Sequence, residues 1–168
     1  MKSFALLICF ILGILAMAAP ASGQTKMSVG WLEKVRIFPG NLLIHAKLDT
    51  GAKTCSLNAP HITEFSRDGE KWVRFGVTNK YGDKITLERK VNRVASIKRH
   101  GVEVQKRFVI HLAICLGTLY KEVEVNLVDR RDFLYPMLIG RSFMAGNLIV
   151  DPAAKYTTKP SCKETPQP

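Results

Sequence analysis

Short apolar runs with a two-residue alternation, each closed by a turn signal, constrain this chain more than any other feature. Residues 29–38 form a mixed run that stops at Pro39-Gly40, and residues 42–48 lead straight into Asp49-Thr50-Gly51. Residues 71–78 put Val73, Phe75 and Val77 on one face; residues 79–83, with Gly82, read as a hairpin turn, and residues 84–91 as the returning strand. Residues 107–115 alternate again through Phe108, Ile110, Leu112 and Ile114. Residues 122–128 set Val123, Val125 and Leu127 against Glu122, Glu124 and Asn126, and residues 148–150 make a last short strand. After the N-terminal segment, the only helical candidate is residues 142–145, barely a turn. Many short strands of this kind predict an all-β domain, a closed barrel or a sandwich.

The ends of the chain read differently. Met1-Lys2-Ser3 precedes an apolar run to Ala19, which is shorter than the roughly 20 residues a spanning helix needs. One cation, a short apolar stretch and small residues form the pattern of a secretory signal peptide, with cleavage after Ala21 or Gly23. Residues 1–23 are therefore set apart, and a periplasmic or secreted location is expected. The domain then spans residues 24–156, and residues 157–168, which are proline-rich and without apolar pattern, read as a disordered tail. Cys9 leaves with the signal, so Cys55, Cys115 and Cys162 allow at most one internal bridge. Cys55 and Cys115 read as small buried residues.

The sharpest chemical feature is Leu48-Asp49-Thr50-Gly51-Ala52. An apolar strand delivers an acid at its end, Gly51 lets the backbone turn tightly, and Thr50 can hydrogen-bond to fix the loop. Taken alone, a strand-end turn accounts for it. An acid held this way activates water only if a second carboxylate shares its proton. A second segment, Leu138-Ile139-Gly140-Arg141, is an apolar strand that ends at Gly-Arg before the helical turn.

Together these two segments resemble the retropepsin family of aspartic proteases, in which an apolar strand carries Asp-Thr-Gly-Ala and a later apolar-apolar-Gly-Arg opens a C-terminal helix. Asp49 and Gly140 lie farther apart than in the compact retroviral enzymes. Residues 46–57, Val128-Asp129-Arg130 and residues 135–141 look closer to a bacterial retropepsin-like group often labelled ATP-dependent zinc proteases. The resemblance covers residues 29–156. It implies a closed β-barrel with one short C-terminal helix. The chain has one Asp-Thr-Gly, so the resemblance also implies a homodimer in which each copy contributes Asp49 to the catalytic pair. Thr50 would brace the two loops, Gly51 and Ala52 would line the floor, and Gly140 and Arg141 would support them. A hairpin near residues 79–83, or the stretch reaching His100-Gly101, would serve as a flap. Cys55, close to the loop, is a candidate redox-sensitive point.

The zinc in that label finds little support in the sequence. His45, His61, His100 and His111 form no His-Glu-x-x-His and no i, i+4 pair, so no metal ligand and no cofactor is assigned. No Gly-x-x-x-x-Gly-Lys-Ser/Thr loop supports ATP use either. The formal charge is +11, and residues 84–107 hold eight Lys and Arg against Glu88 and Glu103. Over a cleft, that stretch would attract an acidic peptide; otherwise it is a solvated face. The family is often associated with glutamate ligases, which makes a glutamylated peptide a reasonable substrate. No aromatic residue lies between Tyr81 and Phe108, which argues against nucleic acid. An anionic envelope surface remains a candidate partner. Two competing readings are a non-catalytic basic β-barrel that binds acidic peptides or polymers, and a zinc-dependent protease.

Overall fold

The computed structural model describes residues 25–99 and 102–162. The expected signal segment, the His100-Gly101 pair and residues 163–168 lie outside them. Eleven strands and one helical turn follow in order. They are β1 (Met27–Phe38), β2 (Leu42–Leu48), β3 (Cys55–Asn58), β4 (Ile62–Arg67), β5 (Glu70–Thr78), β6 (Lys84–Lys90), β7 (Arg93–Arg99), β8 (Val102–Leu116), β9 (Leu119–Val128), β10 (Met137–Ile139), α1 (Arg141–Met144) and β11 (Leu148–Lys155).

Six strands close on themselves. The order β1-β2-β10-β3-β9-β8 returns to its start because the end of β1 pairs with β8, Ile37 opposite Ile114. The described residues thus form an all-β closed barrel with one short helix, as the alternation and the resemblance predict. The long β1 also pairs in parallel with β11 through its first half. β7 extends the sheet on the other side as a hairpin with β8. A separate three-stranded sheet, β4-β5-β6, contributes Val73, Phe75, Val77 and Leu87 to the same core as Ile37, Ile44, Ile110, Leu112 and Ile114. The alternation of residues 71–78 therefore has the structural meaning it suggests: one face packs inward and the other meets solvent.

Several elements differ from expectation. β3, β4 and β7 carry no clear alternation and are found only in the structure. β11 runs to Lys155, straight through Pro152, because it lies at the sheet edge, where a missing N–H need not be paired. Asn126, expected on the polar face of β9, is buried and donates to Thr54 Oγ1 at 2.7 Å and to the Cys55 carbonyl at 3.1 Å.

The tail needs correction over its first six residues. The carboxylate of Glu33 is fully buried on β1 and gathers donors from the segment placed beyond the domain. Thr157 donates to it from its backbone at 2.8 Å and its hydroxyl at 2.6 Å; Thr158 donates from both groups at 3.2 Å, and Gly30 N–H adds 2.8 Å. Cys162 then closes a disulfide with Cys115, so Cys115 is buried but is not a free thiol. Residues 157–162 are a strap across the barrel rather than a loose end.

Burial alone pushes the Glu33 carboxyl up, but the hydrogen bonds from Thr157, Gly30 and Thr158 outweigh it and hold it below the usual carboxylate value. A depressed folded-state value contributes stability above the unfolded value, and that stability is lost as the pH falls through the folded one. Thermal melts across the acid range should show the wild type losing stability on acidification. Glu33→Gln should start about 1–3 kcal/mol less stable at neutral pH and show a shallower loss.

Candidate active site

The Asp49 loop is positioned by two strands that run side by side. β10 lies parallel to β2, with Ile139 opposite Leu48. Both strands are buried apolar segments, so their ends emerge together at the same edge of the barrel. The Asp49 N–H donates to the Ile139 carbonyl at 2.9 Å. The Asp49 carboxylate then organises its own loop: Oδ1 accepts from Gly51 N–H at 2.9 Å and from Ala52 N–H at 3.3 Å. Both bonds fall on Oδ1, and Oδ2 carries neither.

The second motif locks this loop from below. Arg141 N–H donates to the Ala52 carbonyl and Ser142 N–H to the Lys53 carbonyl, each at 2.9 Å. The Arg141 guanidinium Nη1 donates to the carbonyls of Thr50 and Gly51, each at 2.8 Å. Gly140 allows the approach, since a Cβ there would lie 2.6 Å from the Thr54 carbonyl oxygen. The structure thus brings together all six residues singled out in the sequence, Asp49, Thr50, Gly51, Ala52, Gly140 and Arg141. Cys55 sits beneath them, accepting from Gly140 N–H, and burial pushes its thiol up to about 11. A buried, protonated thiol is a poor nucleophile, which removes the basis for a redox role at this position.

Above the loop lies a cleft of about 560 Å³. Asp49, Ala52 and Thr54 form part of its floor, and Trp31, Phe133, Leu134 and Tyr135 an aromatic and apolar wall. Leu134 is 84% exposed and Phe133 48%, so this wall meets solvent. Four cations also line it: Lys47, Lys53, Arg107 and Arg130. Of the two candidate flap hairpins, β7–β8 reaches the cleft, through Ile97 and Arg107, while the 79–83 turn does not.

Arg130, part of a segment that carries the resemblance, was not among the expected site residues. It is only 8% exposed. Its Nη1 donates to Ser56 Oγ at 3.0 Å, its Nε to the Tyr135 carbonyl at 3.3 Å, and its guanidinium stacks 4.3 Å from the Phe133 ring centre. Among the described residues, no carboxylate lies within ion-pair distance of it. Burial and then the neighbouring charge of Arg107 pull its affinity for the proton down, while Asp49 opposes them. The sequence placed it in the Val128-Asp129-Arg130 segment of the resemblance and held nothing to say that it turns inward.

The histidines stand elsewhere. His45 is buried against Tyr156, its Nδ1 2.9 Å from the hydroxyl, and burial, then Lys80 and Lys34, push its value down. His111 sits opposite Glu124 across β8 and β9. His61 lines a separate small pocket, and His100 lies outside the described residues. No three His, Cys, Asp or Glu side chains among the described residues are placed to hold a metal ion, so the donor set does not fit zinc.

This geometry defines a retropepsin-like barrel. A family model described as RimB-like, retropepsin-like aspartic endopeptidase RimB, matches residues 28–161, and the chain belongs to that family. A solved structure from Legionella pneumophila, the protein Lpg0085 of unknown function, is 39% identical with a TM-score of 0.70; the match covers 80% of this chain and all of that one. Curated relatives include a probable alpha-L-glutamate ligase of Shewanella halifaxensis, 38% identical over 116 residues, covering 67% of this chain and 25% of the relative. Another, from Desulfotalea psychrophila, is 36% identical over 125 residues, covering 73% and 27%. The chain spans about a quarter of the length of these curated relatives.

Gly140→Ala should disrupt the seat of the loop, because the blocking atoms are backbone and cannot swing aside. The expected loss is about 1–3 kcal/mol, as for other overpacked sites. Chemical denaturation should show it, together with altered amide shifts for residues 49–54.

Proposed function

We propose that the chain is an aspartic endopeptidase that acts on acidic or glutamylated peptides as a homodimer, with Asp49 of each copy forming the catalytic pair. The observation that carries this reading is the company Asp49 keeps: a carboxylate at the floor of a cleft, beside a buried arginine that makes no ion pair among the described residues. A buried guanidinium without a counter-ion is costly, and the cost is understandable where a ligand supplies the missing carboxylate. Arg107, Lys47 and Lys53 extend the same preference around the rim. The names of the longer relatives point the same way: a barrel that recurs within proteins called alpha-L-glutamate ligases suits a substrate rich in glutamate.

In this mechanism the two Asp49 carboxylates share one proton, since like charges at close range do not both ionise easily. The ionised one takes a proton from water, whose oxygen attacks the amide carbon. The protonated one gives its proton to the carbonyl oxygen. The gem-diol then collapses, its hydroxyl proton passes to the amide nitrogen through a carboxylate, and the C–N bond breaks. Arg141 and Gly140 hold the loop in register and do not touch the reacting atoms. The N-terminal segment supports export, with the periplasm or the exterior as the place of action.

Mass spectrometry of cleavage mixtures checks the reading. Asp49→Asn should lower cleavage about a hundredfold or more while the fold and the dimer persist. Cleavage that survives the change would end the aspartic assignment, and a folded protein that only binds acidic peptides would favour the basic binding barrel. Arg130→Gln should raise KM for acidic peptides about tenfold or more and leave neutral peptides nearly unchanged. An equal loss on both would make Arg130 purely structural.

A further inference from the structure

The hairpin β7–β8 has two faces, and the cleft uses one. Its cross-strand pairs alternate: Ala95 opposite Arg107 and Ile97 opposite Gln105 share the cleft face, while Val94 opposite Phe108 and Ser96 opposite Lys106 share the other. On that other side, between the hairpin and the three-stranded sheet, lies a second groove of about 530 Å³, nearly as large as the cleft. Phe108 and Val94 give it an apolar floor, and Val94 is 45% exposed. Lys71, Lys106 and Arg107 surround it, and among the described residues Glu64 is the one acid that lines it. The Lys71 ammonium lies 5.9 Å from the Phe108 ring centre and 3.2 Å from Glu64. Arg107 lines both the cleft and this groove, so a row of positive charge runs from one to the other around the hairpin.

We infer that this groove is an exosite for the distal part of an acidic peptide whose scissile region lies in the cleft. The inference rests on the proposed acidic substrate and names where the rest of it goes. The surplus of cations fits a polyanion, and Arg107 makes the path continuous. A chain passing from one face of the hairpin to the other crosses about one sheet thickness of ~10 Å and one strand spacing of ~4.8 Å, roughly 15 Å. At about 3.3 Å per extended residue, that is roughly five residues. Short acidic peptides therefore occupy the cleft alone, and longer ones gain a second, tethered contact that raises affinity without changing the chemistry at Asp49.

Binding to the Asp49→Asn protein tests this independently of cleavage. Titration calorimetry at low salt would compare a peptide ending in two glutamates with the same peptide ending in eight. The longer one should bind about tenfold more tightly, and a Lys71→Gln, Lys106→Glu double variant should abolish that difference while binding the short peptide as before. Backbone amide shifts at residues 94–97 and 106–108 should move only with the long peptide. Equal affinities for both lengths, a length effect that survives the double variant, or absence of binding by either peptide would overturn the exosite. Wild-type protein that cleaves neither peptide while the length-dependent binding persists would remove the catalytic reading and leave the exosite standing.

Discussion

Everything about the site depends on one short lattice of backbone hydrogen bonds. Asp49 N–H reaches the Ile139 carbonyl, and Arg141 and Ser142 N–H groups reach back to Ala52 and Lys53. Residues almost a hundred positions apart in sequence are thereby held as one rigid unit. The Arg141 fork onto two loop carbonyls adds charge-assisted bonds, which are roughly twice as strong as neutral ones. A loop carrying an acid, a hydroxyl and a glycine would otherwise be mobile. Tied at five points, it presents Asp49 in a fixed orientation, the condition for any chemistry that relies on placed groups.

The second constraint is electrostatic. Arg130 is buried where Asp49 is the nearby acid felt by its charge and Arg107 a nearby cation. Arg107, Lys47 and Lys53 line the same cleft. The stacking of Arg130 on Phe133 and its bonds to Ser56 and Tyr135 hold it in this position without neutralising it. Arg130 thus keeps its planar guanidinium oriented by neutral acceptors and an aromatic face, with its charge directed along the cleft wall.

The strands that were legible in the sequence are those in which large apolar side chains recur at every second position. In β5 the other face meets solvent, whereas β2, β8 and β9 are buried on both faces over much of their length. β3 is too short at four residues to show a period, and β4 and β7 are edge strands whose side chains are mostly polar or charged. The two halves of the Asp49 site were legible because each is a contiguous motif. Arg130 was not, since its burial depends on Ser56 and Tyr135, partners that arrive by topology rather than by spacing. Nor could spacing reveal the strap, because the donors that satisfy Glu33 lie more than 120 positions away.

The strap also illustrates why composition misleads at chain ends. Residues 157–168 hold three prolines and no apolar pattern, a composition that suggests disorder. Two effects hold the strap. Hydrogen bonds to a buried carboxylate contribute about 1.5–3 kcal/mol each, and Thr157 and Thr158 supply four of them. The Cys115–Cys162 disulfide contributes about 2–4 kcal/mol in the ordinary case. The two effects act at different points: the carboxylate holds Thr157 and Thr158, while the disulfide acts farther along, fixing Cys162 where Ser161 N–H meets the Gly117 carbonyl.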